Sequence, residues 1–139
     1  MKVINGEHMI LGRVASYIAK ALLFGEQIAL VNCDKIIITG NKQNIFQKQK
    51  LFSEMKGKPN KGIFYERRPD FFVRKAIKRM LPNSPRGKAA LKKVRFYIAT
   101  PETIQNVQQE SVAYAHVQKL PNLRYVTVGE ICIKMGATW

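Results

Sequence analysis

The segment QIALVNCDKIIITGN, residues 27–41, holds two short apolar runs, Gln27 to Val31 and Ile36 to Thr39. A polar stretch separates them, and Gly40-Asn41 closes the second. Within each run the apolar residues follow one another instead of alternating with polar ones. A strand wet on one face alternates, whereas a strand covered by helices on both faces does not. The two runs therefore predict buried strands of a parallel sheet, the second and third of an α/β fold.

Upstream, Lys2-Val3-Ile4-Asn5 is a first strand signal ended by Gly6. Leu11, Val14, Ala15, Ile18, Ala19, Leu22 and Leu23 then recur at i, i+3, i+4, i+7 spacing. That apolar stripe predicts a helix facing a core, with Gly25 at its C-terminal cap. Downstream, a helix is expected from about 41 to 52, followed by a long loop or arm at 53–68 (SEMKGKPNKGIFYERR). The arm is rich in Gly, Pro, Lys and Asn, has no sustained periodicity, and is expected to be mobile in the free protein. Pro69 suits the first turn of the next helix.

That helix contains FVRKAIKRML, residues 72–81, in which pairs of apolar and basic residues alternate. At about 100° per residue, Phe72, Val73, Ala76, Ile77, Met80 and Leu81 fall on one half of the helix and Arg74, Lys75, Lys78 and Arg79 on the other. The pattern predicts a helix half core and half cation. Ser84 and Pro85 read as an N-cap and first-turn proline of a further short helix anchored by Leu91 and Val94. RFYIAT (95–100) reads as the fourth strand. Residues 102–120 are polar with a loose helical pattern. Thr127-Val128-Gly129-Glu130 matches a capping box ahead of a short helix ending at Gly136, and Trp139 is expected to dock back on the body.

The chain of 139 residues carries 24 Lys and Arg against nine Asp and Glu, a formal net charge of +15. With 46 % hydrophobic residues it can bury a core as a single domain, 1–139. The charge is unevenly placed. Residues 42–95 hold 17 Lys and Arg against Glu54, Glu66 and Asp70, a balance of +14, while the rest balances at +1. So large an excess opposes compaction by self-repulsion and points to a polyanionic partner.

Competing readings find less support. Cys33 and Cys132 are far apart, form no C-x-x-C pair and read as buried thiols of a reducing, intracellular compartment. The opening residues lack a signal-peptide apolar region, and no apolar run reaches the ~20 residues that span a bilayer. An amphipathic membrane helix would need a free apolar face, but that of 72–81 is expected in the core. His8 and His116 have no metal-ligand spacing, and carboxylates are too scattered to nominate an acid/base pair, so no catalytic, metal or cofactor site is assigned. The turns at Gly6-x5-Gly12 and Gly40-Asn41-Lys42 resemble phosphate-binding turns of a small nucleotide-binding enzyme but match neither G-x-G-x-x-G nor G-x-x-x-x-G-K-[ST]. A DNA-binding regulator lacks a recognisable helix-turn-helix or zinc finger.

Folded RNA suits the pattern better, because several basic elements and a basic arm with aromatics can follow uneven backbone and stack unpaired bases. The candidate RNA-binding residues are Lys48 and Lys50 on the helix after the third strand. On the arm they are Lys56, Lys58, Lys61, Phe64, Tyr65, Arg67 and Arg68. Arg74, Lys75, Lys78 and Arg79 follow on the cationic helix face, and Arg86, Lys88, Lys92 and Lys93 beyond it.

ILGRVAS (10–16), IALVNCDKIIITGN (28–41), FYERRPD (64–70), KRMLP (78–82), PRGKAALKKVRFYIATP (85–101) and YVTVGE (125–130) resemble, in this order, the L-thirteen family of large-subunit ribosomal proteins. The absence of a His-Pro-His ending and the YVTVGE…MGATW tail resemble the archaeal and eukaryotic branch. The resemblance implies a compact α/β domain with a central, mostly parallel four-stranded sheet, helices on both faces, and a C-terminal helical extension at 102–139. It also implies a non-catalytic, cytoplasmic constituent of the large ribosomal subunit, whose partners are large-subunit ribosomal RNA and neighbouring ribosomal proteins. No membrane or small-molecule substrate is implied. The family's RRP and MLP…PRG motifs fall on Arg67, Arg68, Pro69, Met80, Leu81, Pro82, Pro85, Arg86 and Gly87, inside the basic segment.

Overall fold

The computed structural model describes residues 1–54 and 66–139. In chain order it forms β1 (Lys2–Asn5), α1 (Leu11–Leu23), β2 (Ile28–Val31), a 3-10 turn (Cys33–Lys35), β3 (Ile37–Thr39) and α2 (Lys42–Glu54). There follow α3 (Pro69–Met80), α4 (Pro85–Leu91), β4 (Val94–Phe96), α5 (Glu102–Gln105), β5 (Gln109–Glu110), β6 (Tyr125–Thr127) and α6 (Val128–Lys134). The strands run in the order β4-β2-β1-β5 in one four-stranded sheet, in which every pairing is parallel.

Both faces of that sheet are covered, as the unbroken apolar runs predict. Ile4, Ile28 and Leu30 join the larger core with Val14, Ile18 and Leu22 of α1 and Val73 and Ile77 of α3. Their neighbours Val3, Ala29 and Val31 point the other way and pack with Ile104 of α5. Side chains alternate across a strand, so consecutive apolar residues fill two cores at once. Each large side chain taken from water contributes roughly 1.5–3 kcal/mol.

Two strands depart from expectation. Ile36 to Thr39 does not join the parallel sheet; β3 pairs antiparallel with β6, Ile37 opposite Thr127 and Thr39 opposite Tyr125. A parallel partner for β2 needs a crossover of about a dozen residues, and the chain between Val31 and Ile37 is too short. It instead turns at Asn32, which holds a left-handed φ of 57°. The fourth strand of the sheet is β5, from a stretch that reads as loosely helical and is too short to show a pattern of its own. Similarly, RFYIAT is strand only to Phe96, and it begins one residue earlier, at Val94.

The helix stripes fall as their spacing predicts, with instructive exceptions at the ends. On α3, Val73 and Ile77 are buried, and Leu81 leaves the helix in extended backbone and turns into the core one turn further on. Met80 lies beyond that contact and is 43 % exposed. Gly25 takes a positive φ at the end of α1. Trp139 does not dock: it is 49 % exposed. The basic α2 buries no residue completely.

Cys33 and Cys132 are free and buried, and burial pushes both thiols up to about 12, with the nearby Asp70 carboxylate acting in the same direction. Neither should react with iodoacetamide at pH 8 in the folded protein, and both should react in urea. Rapid labelling of the native protein would contradict the burial. Since ionisation is harder folded than unfolded, the thiols' contribution to stability is complete below about pH 9 and is lost as pH rises towards 12.

Candidate nucleic-acid interface

Pro82 to Ser84 join α3 to α4 in a tight turn, and that turn decides how the cations meet. Ser84 is the N-cap of α4, its Oγ accepting from the Gly87 N–H at 3.4 Å. Pro85 occupies the first turn, where its missing N–H is no loss. Gly87 passes so close to the Pro82 carbonyl that a Cβ there would lie 2.0 Å from the oxygen. The MLP…PRG pattern thus has a steric cause: two prolines and a capping serine set the turn, and a glycine lets it close. Removing the cap, Ser84→Ala, should lower stability by about 0.5–1 kcal/mol in urea unfolding, the small end of the range because the bond is long.

The turn sets α4 beside the end of α3 and leaves a cleft of about 450 Å³ between them. Lys75, Lys78 and Arg79 of α3 and Lys88 of α4 line it together with Pro82 and Asn83, and no carboxylate does. Lys75 and Arg79 also line a second cleft of about 370 Å³ towards α2, with Phe52, Phe72 and Glu66. The basic side of α3 is therefore a ridge with a groove on each flank. Like charges at i, i+3 and i, i+4 spacing repel by a few tenths of a kcal/mol per pair. Among the described residues, no ion pair forms to Arg74, Lys78, Arg79, Lys88 or Lys92.

Other nominated residues are partly engaged within the chain. Arg86 donates to the Leu23 carbonyl at 3.2 Å, the last of α1, and Lys93 to the Gly25 carbonyl at 3.4 Å, in the turn that follows it. Arg68 pairs with Asp70 at 3.1 Å and lies over the Phe71 ring. Lys50 sits 3.7 Å from Glu54 and Lys48 leans on Phe52. Arg67 is exposed at the entry to α3. Lys56, Lys58, Lys61, Phe64 and Tyr65, like most of the expected arm, lie outside the described residues.

Sequence reasoning missed Arg95, exposed on β4 in a cleft with Arg74. Strand alternation gives the signal, since its neighbours Val94 and Phe96 both face the larger core. Lys134 was also missed; it stacks 4.0 Å from the centre of the Phe46 ring and helps hold α2 against α6. Thr127 caps α6, accepting from the Glu130 N–H, while the Glu130 carboxylate is engaged by Lys42 at 2.9 Å.

The glycines of the phosphate-binding-turn alternative do not share one role. At Gly6 a Cβ would meet the Ile36 side chain at 2.8 Å, so that glycine accommodates core packing. At Gly12, the other glycine of that spacing, a Cβ would meet nothing within 4 Å. Among the described residues, no group of three His, Cys, Asp or Glu is placed to hold a metal ion, and no helix is long and apolar enough to cross a membrane.

Comparison with known proteins agrees along the chain. The family model described as Ribosomal protein L13 matches residues 1–103. The large ribosomal subunit protein uL13 of Methanopyrus kandleri is 44 % identical over 137 residues, covering 96 % of this chain and 86 % of the relative. That of Methanococcus maripaludis is 42 % identical over 142 residues, covering 99 % and 98 %. The uL13 of Methanococcoides burtonii is 33 % identical over 138 residues, with 99 % of both chains covered. With the family model over residues 1–103 and near full-length similarity to its archaeal members, the chain belongs to the ribosomal protein L13 family.

Proposed function

We propose that this protein is a non-catalytic constituent of the cytoplasmic large ribosomal subunit, where it binds and stabilises folded ribosomal RNA beside neighbouring ribosomal proteins. The observation that carries the reading is the α3–α4 cleft, four cations without a lining carboxylate, on a protein of the L13 family. The parallel sheet, with α1 and α3 on one face, is the rigid part. The basic side of α3, the turn at Pro82 and α4 are the RNA-facing part, supplying charge at fixed spacing to the phosphate backbone. Such contacts release condensed counterions, so affinity falls steeply with salt. Binding to large-subunit RNA, measured between about 50 and 200 mM salt, tests this: a flat dependence would remove the phosphate interface. Domain 1–139, its basic segment 42–95 and the nominated residues belong to the same proposal, including Lys92 and the arm residues Lys56, Lys58, Lys61, Phe64 and Tyr65.

A further inference from the structure

A cleft of about 320 Å³ opens between the start of α3 and β4, at the free edge of the parallel sheet. It is lined by Asp70, Phe71 and Arg74 from the helix, by Val94, Arg95 and Phe96 from β4 and by Tyr97 just after it. The exposed Phe71 ring and two guanidinium groups at one small cleft offer flat surfaces for a flat ligand, while Phe96 and Tyr97 pack against the two cores. Phe71 is 38 % exposed, which is unusual for a ring of its size beside a core.

Asp70 is the odd member of this set. Its Oδ2 accepts from Arg68, but its Oδ1 is buried without a hydrogen-bond partner. A buried acceptor left unpaired is costly, and a ligand that supplies a donor recovers that cost. The side chain keeps 15 % exposure. The Asp χ2 torsion is broad, and a surface ion pair such as that with Arg68 constrains little, so the carboxylate can turn towards an incoming donor.

The surrounding charge selects the class of ligand. Arg68, Arg74 and Arg95 make the surroundings cationic, which disfavours a basic protein tail, while the Asp70 carboxylate repels a phosphate placed directly on it. A nucleotide satisfies both, with its phosphates on the arginines and its base edge on the aspartate. Guanine is the base whose Watson–Crick edge sets two donors side by side, N1–H and the N2 amino group. Adenine and cytosine place an acceptor next to their single amino group.

We propose that the cleft between α3 and β4 takes an unstacked guanine of the RNA, its ring against Phe71 and its Watson–Crick edge on Asp70. Protein modules that recognise RNA sequence commonly use this combination of aromatic or guanidinium stacking and edge hydrogen bonds. The site rests on the RNA-binding reading above but is separate from the α3–α4 cleft, sharing none of its lining residues.

The test uses the full-length protein and three pentaribonucleotides, UUGUU, UUIUU and UUAUU, where I is inosine, which keeps N1–H and lacks the N2 amino group. UUGUU is expected to bind roughly tenfold more tightly than the other two, as for one bidentate base contact. Asp70→Asn should erase that preference and leave the salt dependence of ribosomal RNA binding unchanged. The inosine comparison alters only the RNA, so it stands even if the variant folds poorly. Equal affinity for all three, with ribosomal RNA binding still steeply salt-dependent, overturns the guanine site and leaves the phosphate interface standing. Loss of salt dependence in the wild type would instead overturn both. In the protein–ribosomal RNA complex, ultraviolet crosslinking should join Phe71 to a guanosine; crosslinks there to other bases would also overturn the proposal.

Discussion

Replacing Lys75, Lys78, Arg79 and Lys88 together by Gln should lower affinity for large-subunit RNA roughly a hundredfold or more near physiological salt. The slope of log affinity against log salt should shrink by about 3, because each neutralised phosphate contributes roughly 0.7–0.9. The four residues come from two helices and surround one cleft, so a curved or folded backbone can meet all of them at once. Glutamine is shorter but polar and unbranched and has nearly the helix propensity of lysine and arginine, so the fold is not the target. Removing like charges from α3 also relieves repulsion of a few tenths of a kcal/mol per pair. The free protein should therefore be as stable as wild type or slightly more stable while its RNA affinity collapses. An unchanged salt slope in a folded quadruple variant would show that phosphates do not enter this cleft.

Gly87→Ala should be among the most damaging single changes, although it adds one methyl group. That carbon would sit 2.0 Å from the Pro82 carbonyl oxygen and 3.0 Å from its carbon. Both belong to the backbone, so no side chain can swing aside. Relief requires α4 to move from the turn, which loosens buried Ala90 and Val94 and displaces Lys88. A loss of about 3 kcal/mol is expected, at the upper end for overpacking, read as a lower urea midpoint with weakened RNA binding. Gly12→Ala is the natural control: it lies in the first turn of α1, where an added Cβ meets nothing within 4 Å. There the same substitution should raise stability by about 0.4–1 kcal/mol, because it restricts the unfolded chain. Equal effects at the two positions would show that the close approach at Pro82 does not govern the turn.

The candidate interface was legible in the sequence as a list of cations more than as a surface. The split of Phe72–Leu81 into apolar and basic halves follows from helix periodicity, and the structure keeps it, with Val73 and Ile77 inside and Arg74, Lys78 and Arg79 outside. Arg86 and Lys93 look identical to their neighbours in sequence, yet both donate to carbonyls at or just beyond the end of α1, more than sixty positions away. Arg95 went unnominated because it sits in a short strand, and its exposure became clear once Val94 and Phe96 were seen to face the core. In the sequence Asp70 is one of three acids in a basic segment. Its unpaired Oδ1 and Arg95 of β4 come to one cleft only by folding.

By itself the sequence determined the features that depend on neighbours a few positions away. These are the doubly covered strands, the core stripe of α1, the two faces of α3, the caps at Ser84 and Thr127, and the confinement of charge to 42–95. Such features are local because one helical turn or one strand pleat sets them. The tertiary structure alone decided that β3 leaves the main sheet for β6, that Gln109–Glu110 completes it, and that four particular cations share a cleft. Strand pairing and cleft geometry depend on contacts between distant residues. A two-residue strand carries no periodicity, and a lysine's sequence neighbours do not reveal which surface it will face.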